Sequence, residues 1–247
     1  MVVGHRGSPD EAPENTLASF KLAIRQGAQM VELDTRLTKD GIPVVIHDDS
    51  TKRTSVGTSD LRIEKSTLAE LRAVDVSNGM AAYKGEHIPS LEETLKELCP
   101  LIPVNVELKL NNPHARPLAF AVTEVLKKLG VTKRVICSSF VHTSLAWIKR
   151  FAPEVSTAPL IGDWTGPIYD EELKELLAAP ETSFLPRAAV YDYKMVDRDL
   201  VQRFHDFGGT VLVYTVNDEQ DLLKMLDMGV DAVITNRPGL LCQLKGA

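Results

Sequence analysis

Short apolar runs alternate along the chain with amphipathic stretches that end at a glycine. The amphipathic stretches carry apolar side chains at a helical spacing, as in Leu17, Phe20 and Ile24, so each predicts a helix with one buried face. A glycine just past the last turn is a common helix stop, and Gly130 and Gly229 stand in such places. The pattern therefore predicts alternating helices and strands.

The apolar runs are continuous and rich in β-branched residues, which is typical of parallel strands buried on both faces. They cover residues 2–3, 30–33, 44–46, 104–108, 135–137, 155–161, 188–191, 211–216 and 232–234. Only a Lys39-Asp40-Gly41 turn separates the second and third runs, so we interpret the third as a continuation or hairpin beside the second strand. The remaining eight strands predict an α/β fold, a TIM (β/α)8 barrel. An open doubly wound sheet is disfavoured, since no glycine-rich dinucleotide fingerprint follows any strand.

One long stretch, residues 48–90, interrupts this alternation. It is mostly polar, and only Leu68, Leu71 and Val74 have the spacing of a short helix. An irregular stretch of roughly 40 residues inside a compact domain is commonly a functional loop. We therefore expect a single domain, residues 1–247, with residues 48–90 as an insertion after the second barrel strand. We expect this insertion to border the mouth of the barrel.

Composition and charge exclude several classes of function. A net charge of −6 with interspersed signs does not favour nucleic acid as a partner, because that binding depends on basic patches. The longest apolar run spans five residues, 118–122, so we expect no stable membrane insertion. Three widely spaced cysteines, Cys99, Cys137 and Cys242, indicate reduced thiols of a cytoplasmic protein, with neither a disulfide framework nor a zinc site.

Paired ionisable residues interrupt two of the apolar runs. Glu32 and Asp34 are two residues apart, and so are Glu107 and Lys109, which places each pair on one face of its strand. The active site of such a barrel lies at the C-terminal ends of the strands, where these side chains would converge. Three carboxylates in one cavity require neutralisation, and all-oxygen ligands favour Mg²⁺ or Ca²⁺. The competing interpretation is a half-solvated strand in which Glu107 and Lys109 neutralise each other.

Two histidines also follow apolar runs, His5 after the first and His47 after the 44–46 run. Either histidine alone is more often structural than catalytic. Together with the cations Arg6 and Lys109 and a divalent ion, they form a set suited to a phosphodiester. The cations bind anionic oxygens, while one histidine removes a proton and the other supplies one.

In their order along the chain, the motifs around these residues resemble the glycerophosphodiester phosphodiesterase family over nearly the whole sequence. The motifs are His5-Arg6-Gly7, Pro13-Glu14-Asn15-Thr16, Glu32-Leu33-Asp34, Leu37-Thr38-Lys39-Asp40-Gly41, His47-Asp48, Ile88-Pro89-Ser90-Leu91-Glu92-Glu93, Glu107-Leu108-Lys109, Thr215-Val216-Asn217 and Ile234-Thr235-Asn236-Arg237-Pro238. The resemblance implies a TIM barrel with a small insertion after the second strand. It also implies hydrolysis of glycerophosphodiesters to glycerol 3-phosphate and an alcohol, with a divalent cation.

The resemblance also implies roles for individual residues. His5 and His47 become the acid–base pair, Glu32, Asp34 and Glu107 the metal ligands, and Arg6 and Lys109 the phosphate-facing cations. Tyr214 stands where the family often has Trp, and we expect it to bind the glycerol side of the substrate with altered polarity. Asn236 stands where Asp is common, and we expect a rim position with little effect on the chemistry. Glu14 and Asn15 are expected to serve as scaffold, Glu14 by orienting Arg6 and Asn15 by capping the first helix.

Three other functions stay open at the level of sequence. A lysophospholipase D or phospholipase C of the same architecture needs apolar surface, and residues 80–83, Leu160, Ile161 and Trp164 offer a modest amount. A barrel that only binds a phosphodiester would have no use for an acid–base pair. A sugar-phosphate isomerase or aldolase would place its phosphate site after the last two strands, whereas the charged groups here lie in the first half. The expected partner is thus a small glycerophosphodiester, with the leaving alcohol and the oligomeric state unspecified.

Overall fold

The computed structural model describes residues 1–110, 114–162 and 187–246, and the strands in these ranges form one sheet. The strands are β1 (Val2–His5), β2 (Met30–Leu37), β3 (Pro43–Val45), β4 (Val104–Leu108), β5 (Val135–Ser139), β6 (Ser156–Ile161), β7 (Ala188–Asp192), β8 (Thr210–Tyr214) and β9 (Ala232–Thr235). All except β3 pair in parallel, and β1 pairs with both β2 and β9. The sheet therefore closes into an eight-stranded barrel, and the predicted fold class is confirmed.

Strand β3 forms a hairpin with the second strand of the barrel. It runs antiparallel to the end of β2, with Thr35 opposite Val45 and Leu37 opposite Pro43. A connection of this length cannot make a parallel crossover, so the chain turns back on itself. The hairpin interpretation is therefore confirmed, and β2 extends beyond its neighbours.

Helices lie between the barrel strands. They are α1 (Leu17–Arg25), α2 (Leu68–Arg72), α3 (Leu91–Leu98), α4 (Ala115–Leu129), α5 (His142–Phe151), α6 (Arg198–Asp206), α7 (Glu219–Met228) and α8 (Pro238–Gly246). The helix α4 ends at Gly130 and α7 ends at Gly229, as the pattern predicts. The capping prediction for Asn15 is wrong, because the Thr16 side chain accepts the amide hydrogen of Ser19 at the start of α1. Asn15 is used elsewhere, in the site described below.

The hydrophobic core has two layers. Inside the barrel lies a cluster drawn from strand residues alone: Val3, Met30, Ala158, Leu160, Val190, Leu212, Ala232 and Ile234. Outside it, alternate strand residues such as Val31 and Leu33 pack on helix residues such as Phe20. Because the barrel interior is filled with apolar side chains, polar groups can gather only at its mouth.

The segment between β3 and α3 has a small core of its own. Ile63, Leu71 and Ile88 are buried there against Val44 and Ile46 of the hairpin. Its regular structure comprises α2 and two turns of 3₁₀ helix, Ile63–Lys65 and Ala81–Tyr83. Among the described residues, no helix combines the length and apolar character needed to cross a bilayer.

Candidate active site

The register of the first strands brings the predicted residues together. His5 lies opposite Glu32 across β1 and β2, while Asp34 lies opposite Glu107 across β2 and β4. His5 ends β1, Glu107 is the last residue but one of β4, and Lys109 follows immediately after β4. Glu32 and Asp34 are the third and fifth residues of the longer strand β2. Successive side chains of a strand point to opposite faces of the sheet. These residues therefore point into the mouth of the barrel, while their neighbours in sequence pack outward.

The turn after β1 aims Arg6 at the carboxylates. Its backbone N–H donates to Glu32 Oε2 at 3.0 Å. Its guanidinium reaches Asp34 Oδ2 at 3.1 Å and Glu14 Oε1 at 3.0 Å. Arg6 has a φ of +52°, which is uncommon for a residue with a side chain, and these bonds hold it there. The expected orientation of Arg6 by Glu14 is therefore confirmed as a direct hydrogen bond.

Asn15 also serves the site, by fixing Asp34. Its side-chain N–H donates to Asp34 Oδ2 at 2.8 Å, and its side-chain oxygen accepts from the Asp34 backbone N–H at 3.2 Å. The remaining oxygen of Asp34, Oδ1, lies 3.3 Å from Lys109 Nζ. Burial alone would raise the pKa of Asp34, but Lys109 and Arg6 hold that pKa well below its usual value. Asp34 is consequently an orientated, permanently charged carboxylate.

The other two carboxylates are less well compensated. Burial and the neighbouring Asp34 and Glu107 raise the pKa of Glu32 well above its ordinary value. Burial raises the pKa of Glu107 to about 7, although Lys109 Nζ lies 2.6 Å from its Oε1. Glu32 Oε1 is buried and has no hydrogen-bond partner among the described residues. The cluster therefore carries more negative charge than Arg6 and Lys109 neutralise.

This deficit fits a divalent cation. One oxygen from each of Glu32, Asp34 and Glu107 lies within 4.8 Å of the others, and all three residues are buried. Three carboxylates against the two cations Arg6 and Lys109 leave one unit of negative charge. Hard divalent ions such as Mg²⁺ and Ca²⁺ bind through clustered carboxylate oxygens, and the donor set contains no cysteine or histidine that would favour zinc.

The two histidines have different partners. His5 Nδ1 lies 2.6 Å from the side-chain oxygen of Asn236, whereas His47 Nδ1 lies 2.6 Å from Asp48 Oδ1. Burial, together with the charge of Arg6, lowers the pKa of His5 to about 4. Burial also lowers the pKa of His47, against the opposing charge of Asp34. Both partners accept at Nδ1, so Nε2 of each ring is left to face the cavity.

All the predicted site residues except Asp34, which is fully buried, line one cavity of about 200 Å³. Its polar side carries His5, Arg6, Glu32, His47, Glu107 and Lys109. Its apolar side carries Phe140, Leu160, Tyr214 and Ile234. The Tyr214 ring meets Phe140 edge-on at 5.8 Å, and its hydroxyl donates to the Ile161 carbonyl at 3.3 Å. The cavity therefore combines charged groups with an apolar wall, and Lys109 Nζ lies 5.8 Å from the centre of the Phe140 ring.

A second, open groove adjoins this cavity through His47. It has a volume of about 600 Å³ and is lined by polar residues, among them Asp48, Lys52 and Arg53 from the start of the 48–90 segment. That segment therefore reaches the barrel mouth on the His47 side. Trp164, which belongs to the predicted apolar loop, lies outside the described residues.

Several residues of the site escape sequence reasoning. Asn236, which follows β9, contacts His5 instead of lying at the rim, and the side-chain oxygen of Asn217, which follows the adjacent strand β8, accepts the Asn236 backbone N–H at 2.8 Å. Asn105 and Ser138 line the floor of the cavity, buried, with polar atoms that lack partners among the described residues. Asn105 is two residues before Glu107 on β4, and Ser138 lies opposite Glu107 on β5, so strand alternation could have placed both on the inner face of the barrel. Arg53 carried no signal, because it lies in the irregular segment and its partner Glu14 is 39 residues away in sequence.

Comparison with known proteins identifies the relatives of this site. The sequence model of the glycerophosphoryl diester phosphodiesterase family matches residues 5–240. A glycerophosphodiester phosphodiesterase of Caldanaerobacter subterraneus subsp. tengcongensis is 32% identical over 250 residues, covering 99% of this chain and 97% of the relative. A lysophospholipase D of Homo sapiens is 26% identical and covers 96% of this chain and 83% of the relative. A phosphodiesterase of Oleispira antarctica, solved in complex with the product sn-glycerol-3-phosphate, has a TM-score of 0.85 and 33% identity, covering 100% of this chain and 97% of that one.

Proposed function

Since the chain belongs to the glycerophosphoryl diester phosphodiesterase family and is a phosphoric diester hydrolase, we propose that it cleaves glycerophosphodiesters to glycerol 3-phosphate and an alcohol with a divalent cation and two histidines. The observation that carries the proposal is the convergence of three buried carboxylates, two cations and two histidines on one cavity. The product named for the Oleispira antarctica relative supports glycerol 3-phosphate as the product here.

Glu32, Asp34 and Glu107 would hold the cation, either Mg²⁺ or Ca²⁺. When bound, a divalent ion supplies a positive charge that polarises the phosphoryl oxygens and offsets charge that develops on them. Arg6 and Lys109 add two fixed positive charges to the same end of the cavity. Their own carboxylate partners keep both side chains in place before substrate arrives.

We assign His5 as the base and His47 as the acid. A side-chain amide oxygen can only accept, so His5 carries its proton on Nδ1 and leaves Nε2 free to take a proton from the attacking hydroxyl or water. The hydrogen bond to Asp48 and the charge of Asp34 oppose the lowering of the His47 pKa by burial, and we propose that protonated His47 donates to the departing alkoxide. His47 also lies at the boundary with the open groove, through which an alcohol can leave.

The residues that line the cavity and the adjoining groove indicate how the substrate lies. We propose that Tyr214 and Phe140 contact the carbon side of glycerol while the leaving alcohol enters the groove beside Asp48 and Lys52. We further propose that residues 1–247 form one domain and that residues 48–90 are the insertion that shapes the leaving-group side. A polar groove favours a small hydrophilic alcohol as the leaving group.

A lysophospholipase D activity is the second candidate, because one relative carries that name. In that reaction the acyl chain belongs to the glycerol side, where Phe140, Leu160 and Tyr214 supply the apolar wall. The space beside this apolar wall, and not the groove, therefore decides whether an acyl chain is accepted.

A substrate panel tests the proposal. The wild-type protein is incubated with glycerophosphocholine, glycerophosphoethanolamine, glycerophosphoinositol and lysophosphatidylcholine, and the products are identified by ³¹P NMR. We expect glycerol 3-phosphate from the first three. Release of lysophosphatidic acid at a comparable rate would favour the second candidate, and no turnover of any diester would contradict both.

A further inference from the structure

Arg53 joins two parts of the active site that are far apart in sequence. It lies in the insertion, 39 residues after Glu14 and 5 after Asp48. Its guanidinium donates to both Glu14 oxygens, with Nη1 2.6 Å from Oε2 and Nη2 2.7 Å from Oε1. It also donates to both Asp48 oxygens, with Nε 2.7 Å from Oδ2 and Nη2 3.0 Å from Oδ1. One side chain thus holds two carboxylates from different loops.

Each of these carboxylates in turn holds a side chain that faces the cavity. Asp48 Oδ1 accepts from His47 Nδ1 at 2.6 Å, and Glu14 Oε1 accepts from Arg6 Nη1 at 3.0 Å. We propose that Arg53 is a positioning residue, which fixes Asp48 and Glu14 together and so sets His47 and Arg6 relative to each other across the phosphate pocket. The proposal rests on the proposed function, because it assumes that His47 and Arg6 act on the substrate.

The geometry differs from that of an ordinary surface ion pair, which contributes little. Arg53 is 46% exposed, but its two partners are largely covered, at 13% for Glu14 and 28% for Asp48. The guanidinium uses its planar fork twice, which fixes both carboxylates in orientation as well as in distance. A lysine ammonium has no such fork and cannot reproduce this arrangement.

The loop around Arg53 is held by bonds that do not involve its side chain. The backbone N–H of Thr51 donates to the Leu61 carbonyl at 3.0 Å, and that of Ser55 donates to the Thr51 carbonyl at 2.9 Å. Thr51 and Thr54 are buried. Removing the guanidinium therefore releases Asp48 and Glu14 without unfolding the insertion.

Arg62 provides a matched control. It is 49% exposed, lies in the same insertion and pairs with Asp49, the residue next to Asp48, at 2.8 Å. Within the described residues its guanidinium pairs with Asp49, and with neither Asp48 nor Glu14. Substituting Arg62 removes the same charge and a similar ion pair but leaves the carboxylates that hold His47 and Arg6 untouched.

The kinetic comparison uses Arg53→Met, Arg53→Lys and Arg62→Met in the full chain with a glycerophosphodiester that the wild type hydrolyses. We expect Arg53→Met to lower kcat about 10- to 100-fold, since small displacements of reacting groups have effects of this size. Arg53→Lys should recover part of the loss, and Arg62→Met should stay within about twofold of wild type. Arg53→Met combined with Asp48→Asn should lose less than the product of the two single effects, because they act through one contact.

A second readout does not depend on turnover. The ¹⁵N shifts of the His47 ring, assigned with a His47→Gln variant, report which nitrogen carries the proton. At a pH where the ring is neutral, we expect one Nδ1–H tautomer in the wild type and in Arg62→Met, and a mixture in Arg53→Met. Wild-type kcat in Arg53→Met, an equal loss in Arg62→Met, or a loss of rate with an unchanged His47 ring would each overturn the proposal.

Two further outcomes also test the proposal. If Arg53→Met does not fold, Arg53→Lys replaces it in both measurements, with an intermediate tautomer ratio expected and a wild-type ratio contradicting the proposal. If the wild type hydrolyses no glycerophosphodiester, the proposed function fails, and the ¹⁵N shifts alone test the positioning of His47 by Arg53.

Discussion

At the scale of single residues, the two histidines of the cavity differ in the group that accepts their Nδ1 hydrogen bond. His5 meets the neutral amide oxygen of Asn236, and His47 meets the charged carboxylate of Asp48. A neutral acceptor orients a ring without stabilising its charge, whereas a carboxylate does both. The two histidines therefore have different electrostatic surroundings, in keeping with the opposite roles proposed for them.

Removing either histidine should slow the reaction on a natural diester by about 10²- to 10⁴-fold. A nitrophenyl ester distinguishes their roles, because nitrophenolate leaves without needing a proton. We expect this substrate to restore the rate of His47→Ala far more than that of His5→Ala. Steady-state rates on both substrates check this, with circular dichroism as the control for folding. The opposite rescue would exchange the assignments, and near-normal rates for both variants on the natural diester would reject them.

Asn236 should determine the acidic limit of activity. In the wild type, burial and Arg6 lower the pKa of His5 to about 4, so the base stays unprotonated down to that pH. Asn236→Asp places a carboxylate at Nδ1, which favours the protonated ring and raises the pKa of His5. The acidic limb of the kcat/KM profile should then move to higher pH. Asn236→Leu should lower kcat about tenfold with no such movement, and an unmoved limb in Asn236→Asp would contradict the account.

At the scale of elements, the turn between β1 and α1 decides whether Arg6 reaches the carboxylates. Gly7 in this turn has a φ of +94°, and a Cβ there would lie 2.3 Å from Ser19 Oγ and 2.6 Å from the Ser19 backbone carbon. Only glycine fits, because both the conformation and the space exclude a side chain. The close approach of β1 and α1 therefore depends on this position.

Gly7→Ala should reduce the free energy of unfolding by more than about 3 kcal/mol, combining left-handed strain with overpacking. Gly41→Ala is the control, since it has a φ of +76° but nothing within 4 Å of the added Cβ. That variant should lose only about 1–2 kcal/mol, from strain alone. Urea denaturation measures both, and equal losses would show that the contact with α1 is unimportant.

The elements were largely predictable from sequence, since buried parallel strands and glycine helix stops leave local patterns. The hairpin of β3 followed from the length of its connection, and the pairing of Glu32 with Asp34 followed from strand alternation. The prediction that Asn15 caps α1 was wrong, because its position just before the helix is typical of a cap residue. Its side chain instead contacts Asp34 on β2. Asn236 and Arg53 also act on residues that no local pattern connects with them. Contacts across the barrel mouth depend on closure of the sheet, which periodicity along the chain does not describe.

At the scale of the whole molecule, barrel closure concentrates like charges that the folded chain alone does not neutralise. These surroundings raise the pKa of Glu32 well above its ordinary value and that of Glu107 to about 7, which favours the protonated form of each. A divalent cation must displace these protons to bind. Binding of the proposed cation would therefore depend on the protonation of these carboxylates.

Cation affinity should consequently rise with pH. Below pH 7 the protonated form of Glu107 predominates in the cation-free protein. If cation binding releases that proton, the affinity falls by about tenfold for each pH unit below 7. Above that pH the dependence on Glu107 should disappear. Calorimetric titration with Mg²⁺ or Ca²⁺ between pH 5.5 and 8.5, in buffers of different ionisation enthalpy, measures both the affinity and the protons released. An affinity that does not change across this range would remove the argument for these ligands.

The most direct test of the account is turnover in the presence of a chelator. Glycerophosphoethanolamine is followed by ³¹P NMR with the protein as prepared, then with excess chelator, then with Mg²⁺ or Ca²⁺ restored. The account predicts that glycerol 3-phosphate forms, that its formation stops on chelation, and that it resumes with the cation in the wild type but only weakly in Glu32→Gln and Glu107→Gln. Undiminished hydrolysis in excess chelator would contradict the central claim that these carboxylates act through a divalent cation.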